Sequence, residues 1–325
     1  MEEILVIKPS SLGDIIHALV VVESLRNQRG NDVRVTWLVR DIFAPVLEVC
    51  PTVDRIIRYS RGGGIREILR VGKQLRREKF DLVLDMQGLA RSAYWALCAR
   101  APRKIGRGDG REFSRFAFRE LAPAPAKGFK KAHAVDILLQ FLKPLGLTPE
   151  VCGNVEFSRA VLAPKIRETL TPDGGELPAP ILLFPDSRRA EKEWKGFREL
   201  TALLLAKSQG TPIIWVGGGD LAPDASWDAM YTDFFSLMGK TSLIDVLALI
   251  SRAKFCVTND SGPMHIAAAM GVPVLGIFGP TSPELYGPFP PTSSKNHVIC
   301  APGGDLSKLS AEEVFEKIQN TPGLC

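Results

Sequence analysis

Short apolar runs alternate with stretches of helical periodicity along most of the chain. Residues 4–8 read as a buried strand, 14–27 as a helix and 33–39 as a second strand. Residues 80–86 give a third strand, with a helix over 92–100. After Pro178 the pattern begins again. Residues 181–184, 212–216, 255–258 and 272–278 read as strands, and 243–252 and 264–270 as helices. Strands that are apolar throughout and separated by helices predict parallel sheets covered on both faces. Ser310 followed by Glu313 is the sequence sign of a capping box, so 310–319 is expected as a terminal helix. Residues 159–180 hold Pro164, Pro172, Gly174, Gly175, Pro178 and Pro180 without periodicity and read as an interdomain linker. The expectation is an α/β protein with two Rossmann-like, doubly wound domains over 1–165 and 166–325, facing a central cleft. Ligands in such sheets bind beyond the carboxyl ends of the strands.

Composition adds constraints. The chain has 325 residues, 45% hydrophobic and 24% charged, which suits two globular cores. The start, Met-Glu-Glu-Ile-Leu-Val-Ile-Lys, has neither a basic n-region nor a long apolar h-region, so a cytoplasmic location is expected. Six scattered cysteines without a CxxC pair read as free thiols, not as disulfides or a metal site. The net charge of +5 is modest, but residues 100–131 hold ten Lys and Arg against three acidic residues. That stretch is either a solvated surface or one facing an anionic partner, such as acidic sugars or a membrane. No nucleic-acid-binding motif accompanies it, and nucleic acid is not expected.

Three segments carry candidate chemistry. The first, Lys8-Pro9-Ser10-Ser11-Leu12-Gly13-Asp14-Ile15-Ile16-His17, runs from a strand end into a helix. Asp14 reads either as an N-cap or as a general base. His17 either orients it or packs. The segment lacks GxGxxG, against a dinucleotide site. The second, Pro185 to Trp194, is a charged loop after a strand, where Ser187 and Lys192 suit a diphosphate. The third, Thr258-Asn259-Asp260-Ser261-Gly262-Pro263-Met264-His265, is a strand end turning into a helix. Its Ser261 and Gly262 amides suit an anion. Asp260 there suits sugar hydroxyls, and His265 the phosphate or leaving oxygen. Gly217-Gly218-Gly219-Asp220 would let a nucleoside approach, with Asp220 on ribose hydroxyls. Gly62-Gly63-Gly64, flanked by Arg61 and Arg66, reads as a mobile loop.

These blocks, in this order, resemble the lipopolysaccharide heptosyltransferases, glycosyltransferase family 9. The resemblance rests on Ser10-Ser11-Leu12-Gly13-Asp14, Asp85-Met86-Gln87-Gly88-Leu89 with Ser92, and His133-Ala134-Val135. It extends through Glu191-Lys192-Glu193-Trp194 to Asp260-Ser261-Gly262-Pro263-Met264-His265 with Gly279-Pro280-Thr281. Asp85 to Leu89 and Trp37-Leu38-Val39 look most similar to the heptosyltransferase I branch. The resemblance implies a GT-B fold, with an acceptor-binding first domain and a nucleotide-sugar-binding second domain. It implies inverting, metal-independent transfer of L-glycero-D-manno-heptose from ADP-heptose to the 3-deoxy-octulosonic acid (Kdo) of Kdo-lipid A, with no cofactor. It makes Asp14 the base. Ser187, Lys192, Asp220, Thr241, Asp260, Ser261, Gly262 and His265 fall on the donor side. Ser10, Ser11, Gly13, Arg61 and Arg119 fall on the acceptor side. Peripheral contact with the cytoplasmic face of the inner membrane follows from such an acceptor. Competing readings are a heptosyltransferase II or III type with another acceptor, a nucleotide-sugar epimerase of the same shape, a nicotinamide enzyme and a sugar-binding protein.

Overall fold

The computed structural model describes residues 1–30, 32–207, 210–219, 222–224 and 227–324. The chain divides into two compact units, Met1–Arg159 and Ala160–Cys325.

In the first unit the order is β1 (Glu2–Ile7), α1 (Leu12–Arg29), β2 (Val33–Arg40), α2 (Ala44–Glu48), β3 (Arg55–Tyr59), α3 (Gly64–Leu75), β4 (Leu82–Asp85), α4 (Ala90–Cys98), β5 (Arg103–Arg107), β6 (Glu120–Ala122) and α5 (Ala134–Leu139). The six strands form one sheet in the order β3-β2-β1-β4-β5-β6, every pair parallel. In the second unit come α6 (Pro164–Leu170), β7 (Ile181–Phe184), α7 (Phe197–Lys207), β8 (Ile213–Trp215), α8 (Trp227–Met230), β9 (Phe234–Ser236), α9 (Leu243–Ile250), β10 (Phe255–Asn259), α10 (Gly262–Ala269), β11 (Val274–Phe278), α11 (Pro283–Tyr286), β12 (Asn296–Cys300) and α12 (Ala311–Gln319). Its sheet, also parallel, runs β12-β11-β10-β7-β8-β9, the same winding as the first. The expected α/β class with two doubly wound sheets is therefore what the chain adopts.

Each sheet is buried on both faces, which is why its central strands are apolar throughout. Leu5, Ile7, Leu38 and Val83 pack with Val71, Leu75 and Trp95 from α3 and α4 on one side of the first sheet. On the other side α1 lies against α5, and its Ile15, Ile16, Ala18, Leu19 and Val21 are fully buried. In the second unit Leu183, Trp215 and Val257 pack with Phe197 and Leu200 of α7 and Val314 of α12. Gly72 of α3 lies against α4 so closely that a Cβ there would stand 2.8 Å from the Tyr94 hydroxyl.

Several expectations change. The first helix starts at Leu12, not Asp14, because Ser11 is its N-cap. The helix expected over 264–270 likewise starts earlier, at Gly262. Helix α6 occupies the segment read as linker; Pro164 opens it, where its missing N–H costs no hydrogen bond. The glycine run after β3 is a 3-10 turn, Arg61–Gly63, that leads directly into α3. The terminal capping box forms as expected: the Ser310 amide donates to Glu313 Oε2 at 2.8 Å, and the Glu313 amide to Ser310 Oγ at 3.2 Å. Among the described residues no helix is long and apolar enough to cross a membrane.

Candidate active site

In a doubly wound sheet the chain leaves neighbouring central strands in opposite directions, which opens a crevice at their carboxyl ends. In the first unit those strands are β1 and β4, and in the second β7 and β10. All three candidate segments begin at these ends.

At the first crevice Lys8 continues β1. Its amide donates to Leu38 O at 3.3 Å, and its carbonyl accepts from Trp37 Nε1 at 3.1 Å. The backbone is thus fixed, and the side chain is 2% exposed. Lys8 Nζ lies 3.6 Å from Asp14 Oδ1. The other oxygen, Asp14 Oδ2, accepts from the Ser11 amide at 2.9 Å and the Ser11 hydroxyl at 2.8 Å. Burial alone would raise the Asp14 carboxyl, but Lys8, Ser11 and Arg107 outweigh it and hold it below its ordinary value. For Lys8, burial pulls the ammonium below its ordinary value; Asp14 opposes this and Arg107 adds to it. The product is an ionised carboxylate with one oxygen committed to the helix start and the other turned to a buried cation.

Asp85 ends β4 beside it. Its Oδ1 accepts from the amides of Gln87 at 3.1 Å and Gly88 at 3.2 Å, and its Oδ2 from the Ser92 hydroxyl at 3.0 Å. Gly88 holds φ +70°, which this tight turn needs and other residues adopt at a cost. Burial pushes the Asp85 carboxyl up to about 6 despite those three hydrogen bonds. Arg107, at the end of β5, donates to both oxygens of Asp109 at 2.8 and 2.6 Å.

At the second crevice Lys192 and Asp260 form an ion pair at 2.6 Å, and Thr281 Oγ1 donates to the same Asp260 oxygen at 2.7 Å. The loop that carries Lys192 is sewn down by Asn259, whose Oδ1 accepts from the Trp194 amide at 3.1 Å and whose Nδ2 donates to Pro185 O at 3.0 Å. Ser261 is the N-cap of α10, yet among the described residues its buried hydroxyl has no hydrogen-bond partner. Cap hydroxyls ordinarily accept from the first-turn amides, so here a hydroxyl and a helix N-terminus are both left for a ligand.

The expected residues fall out as follows. Ser10, Ser11, Gly13 and Asp14 share one turn; Asp260, Ser261, Gly262 and His265 share another, which Lys192 reaches from the loop after β7 through its ion pair with Asp260. His265 is half-buried on the first turn of α10. Ser187 lies on the Lys192 loop, its hydroxyl accepting from the Arg189 amide at 3.4 Å. Thr241 precedes the N-cap of α9. Arg61 is exposed after β3, and no hydrogen bond or ion pair joins it to Asp14 among the described residues. Arg119 precedes β6 at the level of Lys104, three residues and roughly 10 Å short of the strand ends. His17 packs its ring against His133 at 5.6 Å. The glycine run after β8 is not left open: Asp186 Oδ2 accepts from the Gly218 and Gly219 amides at 2.8 and 3.0 Å. Asp220 lies outside the described residues.

Lys8, Arg107, Asp186, Asn259 and Thr281 acquire places that sequence reading gave no role. The signal for Lys8 was position, since it directly follows the central strand. No group of three or more His, Cys, Asp or Glu is placed to hold a metal ion among the described residues.

A family profile described as Glycosyltransferase family 9 (heptosyltransferase) matches residues 68–319. The chain is 28% identical to lipopolysaccharide heptosyltransferase 1 of Escherichia coli K12, over 98% of this chain and 99% of that one. It is 27% identical to lipooligosaccharide heptosyltransferase 2 of Haemophilus influenzae, over 94% and 90%. The structure of E. coli heptosyltransferase WaaC with ADP superposes with a TM-score of 0.78 at 25% identity, covering 98% of this chain and 99% of that one.

Proposed function

Since the chain belongs to glycosyltransferase family 9, we propose that it is an inverting transferase that moves L-glycero-D-manno-heptose from ADP-heptose to the Kdo of the lipopolysaccharide inner core. Asp14 takes the proton of an acceptor hydroxyl. That oxygen attacks the anomeric carbon, and the bond to the donor phosphate breaks with its electron pair going to ADP. The observation that carries this reading is the Asp14 carboxylate, kept ionised at a strand end with Oδ1 holding only the 3.6 Å contact to Lys8 among the described residues. A base must be ionised and within reach of the proton it removes.

The leaving diphosphate needs cationic and hydrogen-bonding groups. Lys192, the Ser261 hydroxyl and the Ser261 and Gly262 amides supply them, without a metal. Ser187 and His265 flank the phosphates, Asp260 takes heptose hydroxyls, and Thr241 lies toward the nucleoside; Asp220 is assigned to ribose hydroxyls from the sequence alone. Ser10, Ser11, Gly13 and Arg61 serve the acceptor; Arg119, expected there from the sequence, stands too far back, before β6, to be assigned to it. Donor binding draws Lys192 partly away from Asp260, whose charge Thr281 then helps to hold. The first unit is the acceptor domain and the second the donor domain. The enzyme works in the cytoplasm at the inner face of the membrane that holds its acceptor.

Asp14→Asn tests the central role. The variant should lose at least ~100-fold in kcat while its ADP affinity stays within about twofold of wild type, since ADP is assigned to the other unit. Near-wild-type turnover removes Asp14 from the chemistry.

A further inference from the structure

We propose that the corner of the first unit carrying Phe113 and Phe116 is a docking surface for an anionic phospholipid bilayer. The inference deepens the proposed function and rests on it for one point, that the acceptor is anchored in a membrane.

Phe113 is 84% exposed and Phe116 78% exposed, and their rings stack with centroids 6.4 Å apart. Two adjacent large aromatics in water gain nothing by folding. Their display is nonetheless built in. Glu112 and Phe113 hold φ +53° and +61°, a left-handed conformation that non-glycine residues adopt at a cost. The turn is tied down on its inner side. The Arg111 amide donates to Gly88 O at 2.9 Å, and Glu112 accepts from the Ala90 amide at 3.1 Å. Beneath it, Phe118 packs into the core. The same sequence stretch therefore buries one phenylalanine and holds two outward on a fixed backbone.

Charge selects the occupant. Within this stretch Arg103 pairs with Glu120 and Arg107 with Asp109. Arg111 and Arg115 are exposed and enter no ion pair among the described residues. Arg115 lies over the Phe116 ring at 5.8 Å. The nearby acidic group, Glu112, is engaged with the Ala90 amide instead of with these arginines. Aromatic rings flanked by free guanidinium groups match the interface of an anionic bilayer, where rings sit at headgroup depth and cations meet lipid phosphates. A protein partner would have to bring its own acidic groups around an apolar pocket; a lipid surface presents both chemistries everywhere.

The test uses the full chain and sedimentation with vesicles of phosphatidylcholine alone or with 30% phosphatidylglycerol. Wild type should bind the anionic vesicles at least tenfold more tightly than the neutral ones, and binding should weaken at 0.5 M salt. Phe113→Ser/Phe116→Ser and Arg111→Ser/Arg115→Ser should each lose tenfold or more. Both should keep transfer to a deacylated, water-soluble acceptor within about twofold. Phe113→Trp gives a direct readout, with its emission shifting to the blue on anionic vesicles. No preference for anionic vesicles in wild type overturns the proposal. So does unchanged binding by the phenylalanine double variant, or an emission from Phe113→Trp that vesicles leave unmoved. Vesicle binding without any transfer to the soluble acceptor would instead count against the proposed function and leave the surface standing.

Discussion

Asp14 and Lys192 are both charged, near a strand end and close to an opposite charge, yet the two pairs are built differently. Asp14 is part-exposed and Lys8 is the buried partner, whereas in the other pair Asp260 is the more deeply buried group. In the proposed reaction Lys8 therefore acts through Asp14. Because the Asp14 carboxyl is held low, the acid limb of kcat/KM should lie below the ordinary carboxylate range. Replacing Lys8 with Met removes the cation that lowers it, so the limb should move to higher pH; Lys8→Arg should keep it in place. A pH–rate profile of Lys8→Met with lowered kcat but an unmoved limb would show a packing role only. Lys192→Met should weaken ADP binding roughly tenfold or more and, by leaving Asp260 buried beside Thr281 alone, should cost about 3 kcal/mol of stability. Adding Asp260→Asn should recover much of that stability and none of the affinity. Unchanged ADP affinity by calorimetry would take Lys192 out of the donor site. In the sequence, the carboxylates and the lysine were legible as candidates because they follow central strands. The partners of Asp186 and Asn259 were not, since those side chains bind the backbone of loops brought near only by folding.

Among elements, the central strands were readable and the edges were not. β1, β2, β4, β7, β8, β10 and β11 are apolar runs. All four edge strands, β3, β6, β9 and β12, escaped notice, together with β5. Edge strands are covered less completely and need no continuous apolar run; β5, Arg-Lys-Ile-Gly-Arg, hides under its charges. Arg107 was lost with it, counted into a basic surface although it turns in toward Asp109 and the Met86 carbonyl. The β4–α4 turn offers a test at this scale. Asp85 is raised from 3.8 to about 6 in the folded chain, so the folded state binds its proton more tightly than the unfolded one. The contribution favours folding fully below pH 3.8 and is lost as pH rises through about 6, on the order of 3 kcal/mol in all. Asp85→Asn can keep the amide bonds of Gln87 and Gly88. It should be at least as stable as wild type near pH 7.5, and wild type should gain on it as pH falls toward 4. A difference in urea stability that does not change with pH would mean that Asp85 titrates normally.

For the whole molecule, two units of the same winding carry two different chemistries: a held-down carboxylate in one, and an anion-ready helix start with a lysine in the other. Membership of family 9 was legible because its blocks stand in order along the chain, at the strand ends where ligands bind. The acceptor was not: Arg61 and Arg119, the cations expected to meet it, stand outside those blocks. Relatives of types 1 and 2 are similar to nearly the same degree. The measurement that bears most directly on the proposed function is transfer from ADP-L-glycero-D-manno-heptose to deacylated Kdo-lipid A in EDTA, following ADP release and acceptor mass. The account predicts a gain of one heptose per acceptor, with ADP released in equal amount and no added metal. Bound donor with no change in acceptor mass would contradict the Kdo assignment, and a transfer that stops in EDTA would contradict the role given to Lys192 and the start of α10.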